Sequence, residues 1–221
     1  MQEFSFSLKI LFIIITLSTI YQFYDTTNKN KNVLFVLGVW MILQMLIGST
    51  DFYTDGFTKP PRFILMVLPP LFLILLLFFS DKGKRFIDEL DMRKLTLLHT
   101  IRIPVEIVLY FLFVSKTIPQ IMTFEGQNFD IFAGVSAPIA YWFSINYVQN
   151  KRILIIWNIA ALLLLTNIVG LAILSAQTPF QQFGFEQPNI AITHFPFNCL
   201  PSVIVPLVLF SHLATLRQLW K

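Results

Sequence analysis

Residues 99–113 read HTIRIPVEIVLYFLF. The right half of this stretch has the apolar character of a membrane-crossing helix. The left half carries Arg102 and Glu106, one helical turn apart, with Pro104 between them. If the stretch spans a bilayer, the chain is a polytopic membrane protein with ionisable groups inside it. If not, an apolar helix of this kind needs a soluble core to bury it.

Composition decides between the two. The chain has 221 residues, 56% of them apolar and only 13% charged, with 24 phenylalanines and a mean hydropathy of +0.70. Soluble domains average about 25% charged residues, so lipid has to stand in for the missing polar surface. The single cysteine, Cys199, excludes an internal disulfide and a multi-cysteine metal site. It reads as a small apolar residue inside a helix.

A helix needs about 20 mostly apolar residues to cross the hydrocarbon core. Seven stretches meet that need, near 5–24, 33–50, 62–80, 100–121, 130–148, 153–175 and 196–216. Runs such as LFLILLLFFS lack the alternation of a barrel strand. The first stretch lacks a basic start and a small-residue cleavage site, so it reads as a retained span. The expected fold is therefore all-α, a single seven-helix transmembrane domain over residues 1–221.

Lysine and arginine set the expected orientation. Lys29, Lys31, Lys82, Lys84, Arg85, Arg93, Lys94, Lys151, Arg152, Arg217 and Lys221 fall on one side. Lys9, Lys59, Arg62 and Lys116 fall on the other. The positive-inside rule then places the N-terminus outside and the C-terminus in the cytoplasm, as expected for a plasma (inner) membrane protein. The cytoplasmic segment DKGKRFIDELDMRKLTLLH (81–99) has Phe86, Leu90 and Leu97 near one face, which predicts an interfacial helix near 84–98.

With the fourth span starting near residue 100, Arg102 lies roughly 5 Å and Glu106 roughly 10 Å inside it. Arg102 then reaches the headgroups. Glu106 is too short to do so, and must be protonated, paired or turned to a polar cavity. Pro104 in a first turn, with Glu106 complementing the helix dipole, gives a purely structural reading of the same pair. Asn158, Ser211 and His212 fall at a similar cytoplasmic depth, as do Ser144 and Asn146. Arg102, Glu106, Asn158 and His212 form the candidate inner polar cluster. His99, Glu106 and His212 lack a closely spaced ligand pair, so no metal is expected.

The expected outer loops hold the other candidates: Asp51, Tyr53 and Arg62 in the first, Glu125, Asn128 and Asp130 in the second, His194 in the third. Asp55, Glu186 and Asn198 accompany them. Arg62 is the available counter-ion for Glu125, Gly126 suits a tight turn, and Asp130 suits the N-cap of the fifth span. The third loop, TPFQQFGFEQPNIAITHFPFN (178–198), holds Phe180, Phe183, Phe185 and Phe195 with no Lys or Arg. It is expected to fold over the bundle as a lid. Gly134, Ser136, Ala137 and Ala140 make a small-residue stripe for close packing. Pro69, Pro70, Pro138, Pro201 and Pro206 predict kinks. Gln44 and Asn167, near mid-span, are candidate links between the two polar regions.

These features point to a protein that binds or transports a small polar or charged solute, or a lipid ligand, between its helices. An intramembrane enzyme with acid–base carboxylates and a structural or assembly subunit remain as alternatives. No cofactor and no nucleic-acid partner is expected. The last span has no lysine before Lys221, which excludes a retinal Schiff base there. Walker A, GxSxG, paired-histidine and CxxCH motifs do not occur.

Overall fold

The computed structural model describes residues 5–58, 60–146 and 151–221, with the side chains of 144–146 left aside. Lys59 and the side chains of Ser144 and Asn146, all named above, lie outside the described set. Among the described residues the chain forms nine α-helices and no strand. They are α1 (Phe6–Thr26), α2 (Lys31–Gly48), α3 (Ile64–Phe79), α4 (Asp81–Asp88), α5 (Met92–Leu98), α6 (Arg102–Val114), α7 (Ile131–Asn146), α8 (Lys151–Leu174) and α9 (Val205–Leu219).

Five helical stretches are long and apolar enough to cross a membrane: α1, α2, Met92–Val114, α8 and Leu200–Leu219. The sixteen-residue α3 turns through 92° into α4. The sixteen-residue α7 is short for a crossing. The bundle is apolar outside as well as inside. Phe35, Val39, Leu46, Phe72, Leu75, Ile139, Ile156 and Leu163 are all exposed, a surface that suits lipid contact.

Long-range contacts alternate between two ends. At one end Asp91 donates its N–H to the Thr26 carbonyl at 3.0 Å, and Lys94 pairs with Asp25 at 2.8 Å. There too Arg217 pairs with Asp88 at 3.1 Å, and the Gln218 amide donates to the Ile87 and Leu90 carbonyls. At the other end the Phe195 N–H reaches the Gly48 carbonyl and the Gln187 amide reaches the Phe113 carbonyl. The eleven basic residues grouped above belong to segments at the first end, called here the basic end.

The fourth span differs most from its sequence reading. It begins at Met92, capped by Asp91, whose carboxylate accepts from the Arg93 and Lys94 N–H groups. It runs through a 3₁₀ turn at His99–Ile101 into α6, 23 residues in all. Pro104 lacks the N–H that would bond the Thr100 carbonyl, and its ring crowds that carbonyl, so the turn tightens there. Of the segment expected to lie at the interface, only α4 stays outside the apolar 92–114 stretch, to which residues 92–98 belong.

The shift changes depth. Arg102 is the eleventh of 23 residues, about 15 Å from Met92, and Glu106 lies about 12 Å from Val114. Both sit mid-span, so the first-turn reading of Pro104 and the snorkelling of Arg102 do not hold.

Residues 115–130 are not a simple connector either. Thr117, Ile118, Met122, Thr123, Asn128 and Asp130 are buried. The segment folds back between the helices, so α7 starts level with Arg102 and runs along α5 toward the basic end. Gly134 makes that start possible: a Cβ there would lie 2.9 Å from Ile103 Cγ1 and 3.2 Å from Arg102 Cβ. Ala133, Ala137 and Ala140 continue the buried small-residue face.

Candidate functional site

The refolded 115–130 segment delivers two polar side chains to the middle of the bundle. The Asn128 amide nitrogen lies 2.7 Å from each carboxyl oxygen of Glu106, and it also donates to the Met122 carbonyl at 3.0 Å. The Asn128 oxygen accepts the Asp130 N–H at 3.0 Å. The Asp130 carboxylate turns to Arg102 at 3.2 Å, with the two side chains 6% and 3% exposed. Asp130 does precede α7, and its backbone carbonyl accepts from Ala133 and Gly134. Its side chain serves the ion pair rather than the cap.

Arg102 has two further partners. It donates to the Ala161 carbonyl at 3.1 Å and meets His212 Nε2 at 2.9 Å. Since guanidinium only donates, Nε2 is the acceptor and Nδ1 carries the proton, given to the Asn158 oxygen at 2.9 Å. The Asn158 amide returns to the Leu154 carbonyl. His99 stacks on His212, with ring centroids 3.8 Å apart, and packs against Trp157. Both His99 nitrogens are buried and bond nothing among the described residues. The Trp157 indole donates to the Ser136 hydroxyl at 2.9 Å.

The expected inner and outer candidates therefore merge. Arg102, Glu106, Asn158 and His212 from one set join Asn128 and Asp130 from the other in one buried network. Glu106 reaches Asn128 rather than Arg102, Asn158 or His212.

The remaining outer candidates stay apart from this network. Arg62 pairs with Asp55 at 3.4 Å and lies over the Phe52 ring, so it is not the counter-ion of Glu125, which is exposed. The buried Tyr53 hydroxyl donates to Gln44 at 2.9 Å. Burial pushes that phenol above its ordinary range, against the opposing hydrogen bond. Asp51 is 3.9 Å from His194, which also bonds the Ile190 carbonyl. Gln44, one turn from the end of α2, and Asn167, which donates to the Gln127 carbonyl, do not bridge two regions. Phe180, Phe183 and Phe185 point outward, at 61%, 38% and 71% exposure, so they do not form the underside of a lid.

Two cavities border the bundle core. One, of about 100 Å³, lies among α6, α8, the 200–208 stretch and the start of α3. Val105, Leu109, Leu165, Ile168, Ile204 and Val208 supply apolar walls, and Arg102, Glu106 and Asp130 supply the only charged lining. The other, of about 460 Å³, separates α2 from α3 and is almost wholly apolar. Near it the Trp40 indole donates at 2.8 Å to the Ser202 carbonyl. Pro206 leaves that carbonyl without its helical donor. Of these two, the smaller is the candidate site, since Arg102, Glu106 and Asp130, each at least 95% buried, border it.

Residues 61–220 match the family described as "Domain of unknown function (DUF8737)", and the chain belongs to that family. The matched stretch runs from the start of α3 to the end of α9, so it contains every residue of the mid-span network. It leaves out α1, α2 and the Gln44–Tyr53 pair. No curated protein and no solved structure matches the chain.

Proposed function

We propose that this protein is a membrane-embedded carrier or binding protein for a small amphipathic solute. The solute's apolar part lies along α6, α8 and α9, and its polar end lies against Glu106, Arg102 and Asp130. The observation that supports this reading is the mid-span charged lining of an otherwise apolar cavity. Ionisable groups at that depth are costly in lipid and face a cavity or a partner when present. Ligand sites combine apolar walls with a few convergent polar groups in the same way.

In this reading all seven apolar segments cross, the short α3 and α7 included. The basic end faces the cytoplasm, by the excess of Lys and Arg there. The 115–130 segment closes the opposite half of the crossing that α7 leaves short.

The test uses purified protein in lipid nanodiscs, with thermal unfolding followed in the presence of short amphiphiles of about four carbons, the size a cavity of about 100 Å³ admits. At least one should raise the unfolding temperature of the natural protein. Ala172→Phe, which fills the cavity from α8, should remove the effect. If no amphiphile stabilises the protein, or Ala172→Phe responds as the natural chain does, the proposal fails.

A further inference from the structure

We infer that the groove between α2 and α3 holds one acyl chain of an anionic phospholipid, whose phosphate lies among Lys31, Lys82 and Arg85 at the basic end. This site is separate from the smaller cavity and does not depend on what that cavity binds.

The groove has the depth of one leaflet. Its lining follows α2 from Asn32 to Trp40 and α3 from Pro69 to Leu77, with Pro206 and Phe210 of α9 behind. Lys31 to Trp40 and Pro70 to Phe79 are each about 14 Å along the helix axis. That is close to half of a hydrocarbon core about 30 Å thick. Trp40 and Ser202 close the far end. The indole donates to the Ser202 carbonyl at 2.8 Å, and the Ser202 hydroxyl donates to the Asn198 carbonyl at 2.7 Å. Both donors there are matched, so water has little to bond. An apolar cavity of about 150 Å³ stays dry and admits benzene; on that scale the groove, of about 460 Å³, takes roughly eighteen carbons, about one acyl chain. Val36 and Leu73 line it and are exposed on the apolar outer surface, so a chain enters sideways from the bilayer.

The mouth is cationic. Asn32 and Phe86 line the groove at the basic end, where α4 turns away from α3 by 92°. Lys31 precedes Asn32, Arg85 precedes Phe86, and Lys82 lies one turn before Phe86 on the same face of α4. Lys31, Lys82 and Arg85 are exposed and have no ion pair among the described residues. Three neighbouring acids are already matched: Asp25 by Lys94, Asp81 by Lys84 and Asp88 by Arg217. Glu89 is exposed at the end of α4. Basic pockets between helices recruit anionic headgroups in this way. A zwitterionic headgroup would bring its own cation toward three unmatched ones.

Native mass spectrometry of the protein released from detergent micelles tests the inference, because it counts bound lipids. The probes are palmitoyl-oleoyl phosphatidylglycerol and the phosphatidylcholine with the same chains. The natural chain should retain one phosphatidylglycerol, bound about tenfold more tightly than the phosphatidylcholine. The triple change Lys31→Gln, Lys82→Gln and Arg85→Gln should abolish that preference. The triple change Arg93→Gln, Lys151→Gln and Arg152→Gln removes equal charge from other parts of the basic end and should keep it. Val36→Phe should block the groove and remove the tight binding. All the changed positions are exposed, so these variants keep the fold. Equal binding of the two lipids by the natural chain would overturn the inference. So would an equal loss of preference in both triple variants, or undiminished binding by Val36→Phe.

Discussion

Replacing Arg102 by methionine keeps the volume of the side chain near mid-span and removes its charge and its donors. Three partners lose contact together: Asp130 at 3.2 Å, the Ala161 carbonyl at 3.1 Å and His212 Nε2 at 2.9 Å. At an effective dielectric constant of about 20, the lost attraction to Asp130 alone is about 5 kcal/mol. Desolvation of the natural pair offsets part of it, and breaking one side of a buried pair costs about 3–5 kcal/mol in measured cases. For a chain of this length that corresponds to roughly 10 °C in unfolding temperature. Cys199 supplies the assay, because it is the only cysteine and is 0% exposed. A thiol-reactive dye therefore reports unfolding without an added label. The double change Arg102→Met with Asp130→Leu removes both charges and should recover at least half of the loss. An unfolding temperature for Arg102→Met within 1 °C or so of the natural chain would refute the reasoning. So would a double variant no more stable than the single one.

Three other outcomes follow from the same structure. Gly48→Ala places a Cβ 2.5 Å from Asn198 Cγ, displacing the amide that donates to the Gln44 carbonyl at 2.6 Å; about 1–3 kcal/mol of stability should be lost in the dye assay. Asp88 is held below its ordinary pKa, first by its hydrogen bond from Lys221 and then by Arg217. That stabilisation is full above about pH 4 and is lost as pH falls through the lower folded value, so Asp88→Asn should be less stable at neutral pH and the gap should close in acid. For topology, a tag inserted near Gln187 should be reachable from outside intact cells and one following Lys221 should not; the reverse pattern would invert the proposed orientation.

The helices themselves were legible in the sequence. Apolar runs placed α1, α2, α8 and the last span to within a few residues, because runs of that length have no other stable conformation in lipid. The fourth span was placed eight residues too late. Arg93, Lys94 and His99 make 92–98 read as part of an interfacial helix and put the start of the span near 100, yet Leu95, Leu98 and Ile101 are buried at 0%, 0% and 4% exposure. Their spacing of three residues was the available signal of a buried helical face. Once the start moves to Met92, a pair that looked interfacial becomes the centre of the bundle.

The site was half legible for a different reason. Every side chain in the network except Trp157 stands out in the sequence, His99 only as a metal ligand and Ser136 only as a small packing residue, but sequence reasoning assigns partners by which loop they occupy. Charge complementarity suggested Arg62 for Glu125 and Arg102 for Glu106, whereas the nearest acids to those arginines are Asp55 and Asp130. Pairing across a bundle depends on how deep each loop enters, and apolar length alone does not encode that. The 115–130 loop carried one hint: Ile118, Ile121, Met122 and Phe124 are too apolar for a short exposed connector.

A non-helical segment at membrane depth needs every backbone group satisfied from within the protein, and that requirement explains the third loop. The Ile190 and Ala191 N–H groups both reach the Thr117 carbonyl, and the Gln187 amide bonds the Phe113 and Ile118 carbonyls. Asn167 on α8 supplies a donor to the Gln127 carbonyl, and Asn189 ties the loop to Ala172. The Gln187 and Asn189 amides, with the buried Ala191, Ile192 and Phe197, connect the 178–198 loop to the bundle. The loop and Asn167 together satisfy the carbonyls of Phe113, Thr117, Ile118 and Gln127, and so allow the 115–130 segment to leave helical form inside the bundle. Only because it does so can Asn128 and Asp130 reach Glu106 and Arg102. A continuous helix through 115–146 would have given its polar side chains different depths and closed the cavity. Gln187 holds this segment at the Ile118 carbonyl, and Asn128 holds it at the Met122 carbonyl four residues further along the backbone. Gln187→Leu should loosen the hold on Glu106 from a distance, although it touches neither charge.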